Sequence, residues 1–154
     1  MVFLVRHAKA GHRNDDHPDD SLRPLTESGW DQSRAIVDTL IAAGATGPLF
    51  ASPFTRCQQT LQPLGQQLDL PVTPDHRLAE AQPFLPVLEM IADLPDGAVL
   101  CSHGDLIPDV IDALHRRGCR IITEPNWKKA SVWSLGRDDD GRVTTASAWP
   151  PPAN

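Results

Sequence analysis

The chain of 154 residues has little of what would place it outside the ordinary globular classes. Its three cysteines, Cys57, Cys101 and Cys119, are odd in number and form no CxxC pair. Neither a disulfide framework nor a zinc site is indicated, and reduced thiols are expected. No stretch approaches the roughly 18 consecutive apolar residues of a membrane span. The apolar run at the N-terminus is too short for a signal-peptide core, and its arginine follows the run instead of preceding it. A cytoplasmic location with no membrane partner is therefore expected. There is no long basic run, and the formal net charge of -6 argues against nucleic acid as the main partner. Internal repeats and linkers are absent too, so residues 1–154 are read as one domain. Residues 150–154 form a stiff, extended tail around Pro150, Pro151 and Pro152.

What is present is a folding pattern. Hydrophobic residues make up 40% and charged residues 22%, enough to bury a core without staples. Val2, Phe3, Leu4 and Val5 form a short apolar run that reads as a buried strand. Residues 48–52 and 98–101 read as two more. Helices are expected from Glu27, capped by Thr26 and stopped by Gly44; from Phe54 to about Leu68, with a kink or early break at Pro63; from Phe84 to Leu94; and from a cap at Asp105 to about Arg117. Residues 71–73 are read as an edge strand, and 131–135 with 143–148 as an antiparallel hairpin at one edge of the sheet. Strands alternating with helices imply a three-layer α/β/α sandwich on a mostly parallel sheet, with ligands at the carboxyl ends of the strands.

Three of those strand ends carry chemistry-bearing residues: Arg6-His7, Ser52 with Arg56 shortly after it, and Ser102-His103. Two arginines crowded together call for an anion between them, and their forks match phosphate oxygens. Arg56 also lies near a helix N-terminus, which favours the same ligand. His7 at the centre would attack phosphorus, and His103 would stabilise charge on the equatorial oxygens. Glu80 is the carboxylic acid best separated from the solvated runs and a candidate to protonate a leaving group. The acidic segment 14–20 reads as a solvated loop. A metal site of His12, Asp15, Asp16 and His17 fits no defensible spacing. Cys57 beside Arg56 reads as packing, with a reactive thiol as the alternative. Lys9, Arg13, Lys128 and Lys129 are read as rim or as solvated surface.

The pieces LVRHA at 4–8, SPFTRCQQT at 52–60, LAE at 78–80 and SHG at 102–104 resemble the histidine phosphatase superfamily, with its phosphoglycerate mutase-like fold. SLRPLTESGWDQS at 21–33 and the absence of a large inserted cap resemble its small SixA-type phosphohistidine phosphatase branch. The resemblance implies a covalent phosphohistidine mechanism on His7, without metal or other cofactor. It implies a phosphate pocket of Arg6, Arg56 and His103, with Arg23 reaching towards the phosphate and Glu80 at the acid position. The substrate would be a phosphohistidine-bearing protein or a phosphorylated small molecule. A catalytically weak phosphate- or phosphoprotein-binding module is the alternative. One departure stands out: Ala8 occupies the place where the first motif commonly carries glycine, which would be strained if that backbone needed positive φ.

Overall fold

Val2–Arg6 forms β1, and Val2, Phe3, Leu4 and Val5 are all fully buried. A strand covered on both faces shows a continuous apolar run instead of alternation. The computed structural model, which describes residues 1–12 and 19–153, places β1 inside a seven-stranded sheet. The other strands are β2 (Leu49–Ala51), β3 (Val72–Pro74), β4 (Val99–Ser102), β5 (Arg120–Ile121), β6 (Val132–Arg137) and β7 (Val143–Trp149). Their order is β3-β2-β4-β1-β6-β7-β5. Only β6 runs against the rest, since it pairs antiparallel with β1 and β7 while every other pairing is parallel.

Among the described residues four α-helices cover the sheet: α1 (Glu27–Ala42), α2 (Thr55–Leu68), α3 (Leu85–Asp93) and α4 (Leu106–Arg116). Successive side chains of a strand point to opposite faces, and the core divides accordingly. Phe3, Val5, Leu49 and Val99 pack with Ile36 and Leu40 of α1 and with Leu61 and Leu64 of α2. Val2, Leu4 and Leu100 pack with Val87 and Ile91 of α3 and with Val110 and Leu114 of α4. The expected α/β/α sandwich is therefore realised. Among the described residues, no helix is long and apolar enough to cross a membrane.

Three local expectations need correction. Helix α2 passes through Pro63 without a break. A proline there costs about 3 kcal/mol. The fully buried Leu61 and Leu64 anchor the helix on both sides of it, and Gly65 lies so close to the Leu70 carbonyl that a Cβ would come within 2.8 Å. The β6–β7 hairpin is antiparallel as expected but is not at an edge, because the two-residue β5 pairs outside β7. Asp105 precedes α4 but does not cap it. Its Oδ2 accepts instead from the backbone N–H of Ala81 at 2.8 Å, tying the start of α4 to the connection that carries Glu80. The cap at Thr26 holds, its hydroxyl accepting from the N–H of Gly29 at 3.0 Å.

Candidate active site

β2, β4 and β1 are neighbours, so Ser52, His103 and His7 leave the sheet side by side along one edge. The ladder continues past the strand ends. The N–H of His7 donates to the Ser102 carbonyl, and the N–H of Ser52 donates to the Cys101 carbonyl, each at 3.0 Å. The sheet itself thus fixes these residues. The His7 and His103 rings meet edge to face, with centroids 5.5 Å apart.

His7 is 5% exposed. Its Nδ1 lies 2.8 Å from the carbonyl of Ala8. A carbonyl only accepts, so Nδ1 carries the proton and Nε2 carries the lone pair. Burial pulls the pKa of His7 down to about 3, and the charges of His103, Arg56 and Arg6 act in the same direction; the Ala8 bond opposes them. The ring is thus neutral at physiological pH and offers Nε2 as a nucleophile. Ala8 is fully buried, donates its N–H to Thr60 Oγ1 at 2.9 Å, and is not at positive φ. Alanine in the usual glycine's place is therefore unstrained.

Arg56 enters from the first turn of α2 and is 1% exposed. Its Nη1 donates to the Asp20 carbonyl at 2.9 Å and its Nη2 to Asp20 Oδ2 at 3.2 Å. Arg23 Nε donates to the other oxygen of the same carboxylate, Oδ1, at 2.9 Å, and its Nη1 donates to the Gly11 carbonyl. One carboxylate thus spans two arginines. Glu80 faces the same guanidinium, with Oε1 3.7 Å from Arg56 Nη2.

Arg6, at the end of β1, donates through Nη1 to the Trp127 carbonyl at 2.5 Å. Its guanidinium lies flat against Gly104, where a Cβ would come within 2.6 Å of Cζ. Glycine after His103 is therefore a space requirement. Burial lowers the Arg6 pKa, and Asp105 partly offsets this. Half-buried Lys129 joins the cationic group. Its pKa is lowered by burial and by Arg6, Arg23, Lys9 and Arg56.

Ser52 Oγ accepts from the N–H of Phe54 at 3.2 Å and lies 2.8 Å from His103 Nε2. Assigning the hydroxyl proton to Nε2 places the ring proton of His103 on Nδ1. That nitrogen, Arg6 Nε and Arg56 Nε are all buried without a partner among the described residues. Orphaned buried donors are rare enough to need a reason. Three in one site are explained by a ligand rich in acceptor oxygens. Cys57 Sγ, fully buried, sits 3.5 Å from His103 Nε2. Burial pushes this thiol up, but contacts to Cys101 and His103 and the charge of Arg56 bring it below the ordinary thiol value.

The structure thus brings together His7, Arg6, Arg56, His103, Glu80 and Arg23. Lys9, His12 and Lys128 are exposed. Arg13 and the Asp15, Asp16 and His17 of the weighed metal cluster lie outside the described residues. Sequence reasoning missed Asp20, hidden in an acidic run. It also missed Thr60, whose hydroxyl donates to the Arg56 carbonyl at 2.7 Å while holding the Ala8 backbone. The signals were the spacing of Asp20 three residues before Arg23 and the closing threonine of SPFTRCQQT.

A neutral histidine with guanidinium groups and a second histidine around it stands at the carboxyl edge of an α/β/α sheet, a donor-rich arrangement suited to an anion. The comparisons narrow this class. The model of the histidine phosphatase superfamily (branch 1) matches residues 2–83, and the chain belongs to that superfamily. It is 36% identical to the 8-oxo-(d)GTP phosphatase of Mycolicibacterium smegmatis over 98% of its own length but 48% of the relative's, so it spans about half of that protein. It is 29% identical to the phosphohistidine phosphatase SixA of Escherichia coli, over 94% of this chain and 89% of the relative. The structure of protein histidine phosphatase SixA complexed with tungstate superposes with a TM-score of 0.72 at 27% identity, covering 93% of this chain and 92% of that one.

Proposed function

We propose that the protein is a phosphohydrolase that works through a covalent phosphohistidine on His7. The observation that carries this reading is the bond from His7 Nδ1 to the Ala8 carbonyl in a ring held neutral by burial. In the first step the His7 Nε2 lone pair forms a bond to phosphorus as the bond to the leaving group breaks. The leaving oxygen or nitrogen takes a proton from Glu80. Arg6, Arg56 and His103 donate to the equatorial oxygens through the transition state, and Arg23 adds charge from behind Asp20. In the second step water attacks phosphorus and gives its proton to the Glu80 carboxylate, the nitrogen–phosphorus bond breaks back to neutral His7, and inorganic phosphate leaves. The counter-charge in both steps comes from the chain's own guanidinium groups.

The names of the relatives supply two kinds of substrate, a phosphohistidine and an oxidised guanine nucleotide. Both present a terminal phosphoryl group on a leaving group, which is the shared chemistry the reading rests on. The test is rapid quenching. Wild-type protein mixed with radiolabelled aryl phosphate and quenched in base should retain label that is released by acid, and His7→Ala should retain none. Acid-stable label, or label retained in His7→Ala, contradicts the assignment of His7.

A further inference from the structure

Residues 127–131, between β5 and β6, are stitched to the strand end that carries His7. The Trp127 carbonyl accepts from Arg6 Nη1 at 2.5 Å. The N–H of Arg6 donates to the Ser131 carbonyl at 3.1 Å, and the N–H of Ala130 donates to the carbonyls of Arg6 and His7 at 3.1 and 3.2 Å. Ala130 is buried at φ 66°, a left-handed conformation that alanine keeps only where its surroundings fix it. Lys129 immediately precedes it. The backbone of the nucleophile's own strand end therefore sets its place.

The surroundings of Lys129 are cationic. Burial lowers its pKa most, and the charges of Arg6, Arg23, Lys9 and Arg56 act in the same direction. The acids close by serve the arginines: Asp20 is held between Arg23 and Arg56, and Glu80 faces Arg56. Neither the Lys129 nor the Lys9 ammonium has a hydrogen bond or ion pair among the described residues. Gathering like charges costs free energy that an anion between them would offset.

Exposure orders these cations from floor to rim. Arg56 is buried, Arg6, Arg23 and Lys129 are half-buried, and Lys9 is exposed. His7, itself buried, attacks from the floor, and in-line displacement sends the leaving group out on the opposite side. Arg6, Arg56 and His103 already answer the equatorial oxygens of the transferred phosphoryl group. Lys129 and Lys9 are left for charge that lies beyond it.

We propose that Lys129, with Lys9 at the rim, determines specificity by binding a second anionic group carried on the leaving group. The preferred substrates are then phosphoryl compounds whose leaving group bears its own carboxylate or phosphate close to the reacting phosphorus. This rests on the His7 reading for turnover but not for binding, and the two are tested separately.

The experiment compares kcat/KM within two pairs that differ by one anionic group. Phosphoglycolate against phosphoglycolamide tests a carboxylate, and ethylene glycol bisphosphate against its monophosphate tests a phosphate. Wild type should favour the charged member of at least one pair by about tenfold, the worth of one charge-assisted contact. The advantage should lie in KM, because the second anion is bound alike before and during the reaction. Lys129→Met should bring the ratio close to one, Lys129→Arg should restore it, and added salt should shrink it in wild type. A ratio near one in both wild-type pairs, or an unchanged ratio in Lys129→Met, overturns the proposal. A fall in kcat shared equally by charged and neutral members also overturns it, and makes Lys129 a support of the phosphate pocket alone. Should no phosphoester turn over, the reading of His7 fails and calorimetry decides the role of Lys129. Phosphoglycolate binding about tenfold tighter than phosphoglycolamide in wild type but not in Lys129→Met supports it, and equal affinities in wild type overturn it.

Discussion

The proton on His7 Nδ1 is committed to the Ala8 carbonyl, and this bond governs how the site responds to pH. The ring titrates near 3 when folded, well below the ordinary histidine value of about 6.5. Between these two values the unfolded chain binds more protons than the folded one at this position, so stability contributed through His7 rises with pH across the window and is lost on acidification. A nitrogen-15 NMR titration of the free protein should show His7 as the neutral Nδ1–H tautomer down to about pH 5. A His7 transition near 6.5 would contradict the desolvated site. Asp20 makes a second prediction. Its carboxylate sits between Arg23 and Arg56, where it offsets charge meant for the ligand. Asp20→Asn should tighten competitive inhibition by inorganic phosphate about fivefold, by removing a negative charge from beside the anion. A weaker inhibition constant would mean that Asp20 mainly holds the arginines in place. At this scale the sequence was legible where a polar residue ended an apolar run, as at His7, Arg6 and His103. Asp20 was not legible, because an acid among acids carries no sign of which one folds back onto an arginine.

At the scale of elements, α2 is the clearest departure from local rules. Proline removes one backbone bond and crowds the preceding turn, yet the helix runs from Thr55 to Leu68. Burial of Leu61 and Leu64 outweighs the local cost, a tertiary effect that periodicity alone does not weigh. Pro63→Ala should therefore stabilise the fold by about 1 kcal/mol or more, read as a higher urea midpoint at constant m-value, and leave the site unchanged. An unchanged or lower midpoint would show that the proline's restriction of the unfolded chain offsets its helical cost. The element boundaries around the site were legible because caps and stops are local chemistry, as at Thr26 and Gly44. β5 was not, since Arg120–Ile121 is too short to show a pattern and becomes a strand only by pairing with β7. Asp105 reads as a cap by position, but an acceptor goes to whichever N–H the fold presents, and here that is Ala81.

Across the whole molecule, a chain of net charge -6 concentrates Arg6, Arg23, Arg56 and Lys129 at one edge of its sheet. That contrast sets the local charge of this edge against the bulk charge, and only the topology creates it. The order β2-β4-β1 draws three distant strand ends into one line. Alternating apolar runs were enough to expect the sheet and the line of strand ends, while the side of β1 on which β6 and β7 pair depended on contacts that no local pattern encodes. The measurement that bears most directly on the account is hydrolysis of an aryl phosphate in excess EDTA, wild type against His7→Ala. Chelator-resistant turnover that falls by at least ~10³-fold in His7→Ala is the expected result. Phosphate binding without turnover in wild type would instead make the chain a binding module, and turnover lost on adding EDTA would place its chemistry elsewhere than His7.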